Sequence, residues 1–202
     1  MKKFLATLPT DRPFHLTVFE SAPLQLTLDR GLLSGDVDIF SDDDEDLTAF
    51  VEAAGLDKTC GGIYLEAGFE LSFRISPRWR RRARLVQIDR VTLTFPHPLD
   101  ILIGKLDRLE AKDLKAFERV IQLTGHPTPE ELKRELQNCV DLFRPGFEEE
   151  SPNRYPENTV RLWREVFHAD IDVRRDIVGP GLARRRQGYG EPPPDYKGSL
   201  GR

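Results

Sequence analysis

Asp36 and Asp38 flank Val37 in the stretch S-G-D-V-D-I-F-S-D-D-D-E-D at residues 34–46. In a strand, side chains two apart share a face, so Asp36, Asp38 and Phe40 point one way while Val37 and Ile39 point the other. Two carboxylates on one face repel each other unless something positive lies between them. Oxygen donors of this kind suit a divalent cation such as magnesium or manganese. The same pattern also fits an acidic turn that water solvates throughout. A second group with chemical potential is basic. Arg78, Arg80, Arg82 and Arg84 alternate beside Trp79. If that segment is extended, the four arginines share one side, and Trp79 offers a ring on which a base can stack. A basic hairpin facing solvent is the plainer alternative. His15, His97, His126 and His168 have no mutual spacing for zinc. No G-x-S-x-G, H-E-x-x-H or Walker sequence occurs.

The elements that would carry these residues fall into two halves. Phe14, Leu16 and Val18 alternate with polar residues and predict a strand. Pro23 fits the first turn of a short helix running to Leu28, with Ser21 or Ala22 near its cap, although L-Q-L-T-L at 24–28 also permits a strand. Residues 36–40 predict the next strand. Ser41, with Asp44 three residues on, resembles a capping box for a helix starting at Asp42, where Asp42 to Asp46 would meet the positive end of the dipole. That helix would bury Leu47, Phe50, Val51 and Ala54 and end at Gly55. Ile63–Leu65 predicts a short strand. F-E-L-S-F-R-I at 69–75 alternates strictly and predicts another, with Glu70, Ser72 and Arg74 on its polar face. Leu85–Ile88 and Val91–Phe95 predict two more, joined by a tight turn at Asp89-Arg90. After Pro96-His97-Pro98 the chain turns helical over 98–110, 113–124, 129–143 and 156–168. Thr128 caps the third of these, and Pro129 suits its first turn.

The chain therefore reads as an α/β core at 1–97, a helical portion at 98–170 packed on it, and an Arg-, Gly- and Pro-rich tail at 171–202. That tail composition buries little surface and is expected to be mobile unless a partner holds it. Net charge is −4, so the chain as a whole does not attract nucleic acid. Cys60 and Cys139 are far apart and match no metal spacing, which fits reduced thiols. The apolar run after Met1-Lys2-Lys3 stops at Pro9, too soon for a signal peptide, and no segment has the apolar length of a membrane helix. The expected location is cytoplasmic, with no membrane contact.

A mixed sheet carrying S-x14-D-x-D, a later acidic strand and a helical second half resembles the nucleotidyltransferase fold of the DNA polymerase beta superfamily. More narrowly it resembles the small bacterial nucleotidyltransferase-like proteins of the AbiEii-related type, over roughly residues 14 to 124. The resemblance implies an α+β fold, a nucleotidyltransferase-like mixed β-sheet with flanking helices followed by a helical C-terminal half. It assigns Ser21 in V-F-E-S-A-P-L-Q-L to the triphosphate, with Glu20 where that family carries glycine. It assigns Asp36, Asp38 and Glu70 to the metal, and matches Lys105, Lys112 and Asp113 in P-L-D-I-L-I-G-K-L-D-R-L-E-A-K-D-L to a proline-led helix with a lysine followed by K-D. Of these, Lys105 and Asp113 would complete the site, Lys105 as a mobile positive charge for the nucleotide. Ala116 stands where the family carries a further aspartate. The implied activity is transfer of NMP from an NTP to an RNA, protein or small-molecule acceptor, with Mg2+ or Mn2+. Glu20 and Ala116 favour an alternative: a catalytically inactive nucleotidyltransferase-like binding protein, such as an antitoxin or regulatory partner of a protein from a neighbouring gene.

Overall fold

The computed structural model describes residues 2–9, 11–32, 35–43, 46–70, 75–144 and 153–188. Five strands form one mixed sheet: β1 (Phe14–Phe19), β2 (Asp36–Ser41), β3 (Tyr64–Ala67), β4 (Arg84–Ile88) and β5 (Val91–Phe95), in the order β3-β2-β1-β5-β4. β1 pairs antiparallel with β2 and parallel with β5, and β2 pairs parallel with β3. β4 and β5 form the hairpin expected around Asp89-Arg90, and Asp89 takes the left-handed conformation that the tight turn demands. The architecture is α+β, as the sequence indicates.

Register decides which side chains share a face. Leu16, Val18, Ile39, Leu65 and Leu93 lie on one face and join Phe4, Leu8, Leu47 and Val51, which come from α1 (Lys2–Leu5), α3 (Thr48–Ala53) and their flanks. The opposite face carries Phe19 and Phe40, which pack on Trp79. A second core is helical and joins α4 (Pro98–Lys105), α5 (Ala111–Thr124), α6 (Pro129–Asn138) and α7 (Tyr155–Val166) through Leu102, Leu106, Phe117, Leu136 and Leu162. These helices start where local chemistry dictates. His97 Nδ1 accepts from the Leu99 N–H at α4, Glu110 and Asp113 form a capping box at α5, and Thr128 and Glu131 form another at α6. Leu24 of α2 (Ala22–Thr27) reaches into the helical core, so the strand alternative at 24–28 is displaced by a helix.

Arg82 ties the two cores together. Its Nε and Nη2 donate to the two Asp100 carboxylate oxygens at 3.0 and 2.5 Å, and Nη2 also donates to Glu135 at 2.9 Å. Asp100 is fully buried, so this bidentate pair compensates a charge that water cannot reach. Ser76 donates to the same Glu135 carboxylate.

Four expectations change. No helix starts at Asp42: Ser41 Oγ accepts from the Asp43 N–H in a turn, and α3 begins only at Thr48, where Asp46 takes the Thr48 N–H at 2.9 Å. The expected cap partner, Asp44, lies outside the described residues. The alternation at 69–75 does not make its first residues a strand. Phe69 is 71% exposed, and residues 71–74 lie outside the described residues. The four arginines do not share a side, because Trp79–Arg81 is a 3-10 turn that aims Arg80 and Arg82 at different acids. Trp79 itself is buried against Phe19 and Phe40, so it offers no ring to a base. Finally, the stretch after Asp172 is folded as far as Gly188. A π turn at Arg174–Val178 leads into α8 (Gly179–Gly188), and Ile177 is fully buried. Residues 189–202 of the expected tail lie outside the described residues.

Candidate functional site

The carboxyl end of β1 stands at the centre of two charged groups. In the first, β2 presents Asp36 and Asp38 on the face away from Val37 and Ile39. The parallel register then sets Glu66 beside Asp38 and Tyr64 beside Asp36. Asp36, Asp38 and Glu66 each offer a carboxylate oxygen, and these atoms lie within 4.8 Å of one another. Burial pushes the Asp38 carboxyl up to about 7, and the neighbouring charges of Asp36, Glu20 and Glu66 add to the shift. Lys58 Nζ meets Glu66 at 2.9 Å and lies over the Tyr64 ring, while the Tyr64 hydroxyl reaches Asp36 at 3.5 Å. Three oxygen donors of this sort could hold a metal ion.

In the second group, Lys105 Nζ donates to Ser21 Oγ at 2.7 Å and to Asp113 Oδ1 at 3.0 Å. Lys105 and Asp113 are both almost wholly buried, so each serves as the other's counter-charge. Asp113 has a second duty: its Oδ2 accepts the Glu110 N–H at 2.9 Å and closes the α5 capping box. Arg108 Nε approaches the same carboxylate at 3.5 Å. Glu20 joins the two groups. Its Oε2 lies 4.0 Å from Lys105 Nζ and 3.9 Å from Arg108 Nη2, and its charge is felt at Asp38. Glu20 also holds a φ of 55°, in the left-handed region where glycine is at ease and a side chain is strained.

Five of the six site residues that the sequence singles out therefore gather around β1: Asp36 and Asp38 in one group, Ser21, Lys105 and Asp113 in the other. Glu70 does not join them. It is half-exposed and meets Arg80 Nη2 at 3.0 Å, with Arg80 bound through Nη1 to Asp42. Sequence reasoning passes over Glu66, whose signal is the alternation Tyr64-Leu65-Glu66 with Leu65 buried; the longer alternation at 69–75 masks it. Lys112 lies on the surface against Glu110.

Comparison of the chain with protein-family models, curated proteins and solved structures gives no match. Among the described residues, no helix is long and apolar enough to cross a membrane.

Proposed function

We propose that this protein is a metal-dependent nucleotidyltransferase, moving NMP from an NTP to an RNA, protein or small-molecule acceptor. The observation that carries the reading is the meeting of three carboxylates, Asp36, Asp38 and Glu66, on the sheet face beside the Ser21–Lys105–Asp113 chain. The donor set is all oxygen and suits Mg2+ or Mn2+, which would be held by those three carboxylates with Glu66 in the place first assigned to Glu70. When bound, such ions stabilise the charge that builds on the attacking and leaving oxygens at the α-phosphate. The remaining work belongs to the chain. Lys105 and Arg108 supply positive charge to the triphosphate. Ser21 Oγ accepts from Lys105, which leaves its own O–H to donate to a phosphate oxygen. Asp113 holds Lys105 in place through a buried bond. Titration calorimetry with each of the four NTPs and manganese tests the reading. Heat of binding is expected with wild type and not with Asp38→Asn. No heat with any NTP, from protein shown to be folded, overturns it.

A second reading has its own observation. The Glu20 carboxylate lies near both cations that a triphosphate would need. A catalytically silent binding protein, the antitoxin or regulatory half of a two-gene pair, would tolerate that arrangement. Co-purification with the product of a neighbouring gene, together with no NTP binding, favours it.

A further inference from the structure

A cavity of about 610 Å³ opens on the other side of β1 from the acidic group, where β5 gives way to α4 and the start of α6 closes over the end of α2. Its walls are apolar: Leu28, Phe95, Leu99 and Pro127 line it. Three guanidinium groups border these walls, from Arg82, Arg84 and Arg134. The acids nearby are already engaged. Glu131 Oε2 accepts from His126 Nδ1 and from the Thr128 N–H, both at 2.8 Å. Glu135 accepts from Arg82, Ser76 and Asn138. Among the described residues, the Arg84 and Arg134 side chains have neither an ion pair nor a hydrogen bond, and Arg82 Nη1 has no acceptor. His97 also lines the cavity. Its Nδ1 is the acceptor that caps α4, so Nε2 carries the proton and is a donor. The lining thus combines an apolar body with cationic and neutral donors that lack acceptors, the composition of a small-molecule site.

We propose that this cavity binds a small organic anion, a carboxylate or phosphate carried on a flat apolar body. The body lies against Phe95, Leu28 and Leu99, and the anionic head is taken by Arg84 and Arg134 at the rim with Arg82 behind them. Arginine suits this task because its planar fork matches a carboxylate or phosphate with two parallel bonds. The proposal does not depend on nucleotidyl transfer.

The probes are 1-naphthyl phosphate, 1-naphthoate and the neutral 1-naphthalenemethanol, each titrated into the full chain by calorimetry. At least one anion is expected to bind saturably, one per chain, and roughly tenfold or more tighter than the alcohol. Binding by both anions assigns a carboxylate-or-phosphate head; binding by one alone assigns that head. The double variant Arg84→Ala/Arg134→Ala changes two exposed side chains, and its melting curve should match wild type while affinity falls roughly tenfold or more. Thr124→Trp, which places a large ring at the cavity wall, should block binding. No saturable heat with either anion overturns the proposal. So does equal binding of the alcohol, or a double variant that binds as wild type does.

Discussion

Asp38 is partly buried among other acids, and burial with their charges raises its carboxyl well above the ordinary range. Its carboxyl sits near 7 in the folded chain and near 4 when unfolded. The folded state therefore holds a proton there that the unfolded state has lost, so stability falls as pH rises from about 4 to about 7. Asp38→Asn removes the charge and keeps the shape. At neutral pH and without metal it should melt higher than wild type by roughly 2–4 °C, the equivalent of about 1 kcal/mol for a chain of this size. Melting curves at pH 5 and pH 8 check the sign: the gain should shrink at the lower pH. A metal ion must displace the same proton, so stabilisation of wild type by manganese should grow between pH 6 and pH 8 and vanish in Asp38→Asn. A manganese shift that ignores pH would place the ion elsewhere.

Glu20 is expected to oppose phosphate. Glu20→Gly removes a carboxylate from beside Lys105 and Arg108 and relieves a left-handed backbone at the same position. Calorimetry with NTP and manganese should show tighter binding, and the melting temperature should not fall. Glu20→Gln separates the two effects, since it removes the charge and leaves the strain.

At the scale of elements, α8 reports on what composition conceals. The Arg- and Gly-rich sequence after Asp172 reads as a tail, yet Gly181 allows α8 to approach α6 closely. A Cβ there would lie 2.6 Å from the Gln137 carbonyl oxygen and 2.9 Å from Val140 Cβ. Gln137 Nε2 also donates to the Asp176 carbonyl, and Arg185 pairs with Asp141. Gly181→Ala should therefore cost about 1–3 kcal/mol by overpacking. It should also make Arg184, Arg185 and Arg186 more open to trypsin than in wild type, which limited proteolysis followed by mass measurement reads directly. Equal cleavage in both proteins would mean that the contact with α6 does not hold α8. Glycine hid the docking because its value here is a missing side chain, which hydrophobic patterning cannot register. The strand expected at 69–75 shows the converse. Its alternation is strict, but β3 at Tyr64–Ala67 is the strand that pairs with β2, and pairing depends on partners distant in sequence.

At the scale of the whole molecule, Arg82 joins the sheet half to the helical half. Removing it leaves Asp100 buried without its cation, while the double variant Arg82→Met/Asp100→Asn removes one charge of each sign. Arg82→Met should destabilise by about 3 kcal/mol, the lower end for a broken buried pair, because Arg82 keeps 27% of its side chain exposed. Adding Asp100→Asn should recover part of the loss. Denaturant unfolding of both variants, followed at once by tryptophan fluorescence and far-ultraviolet dichroism, measures this. If the single variant melts like wild type, the Arg82 pair does not hold the two halves together.

The sequence by itself determined the elements whose signals are local. Alternation marked β1, β2, β4 and β5. Proline and capping residues marked α2, α4 and α6, and the D-x-D spacing put Asp36 and Asp38 on one face. The family resemblance, rather than any local signal, singled out Ser21, Lys105 and Asp113; Ser21 and Asp113 lie 84 and 8 residues from Lys105 along the chain and meet at its ammonium group. Only the tertiary structure decided which acid completes the metal-holding group, because the parallel pairing of β2 with β3 sets Glu66 against Asp38 and leaves Glu70 to Arg80. It likewise turned the arginine run from one basic side into separate anchors, since a 3-10 turn advances each residue by about 120° rather than the 180° of a strand. Periodicity fixes what a residue's own backbone does; which charge faces which is set by strand register and helix packing, and both depend on chain segments that no local window contains.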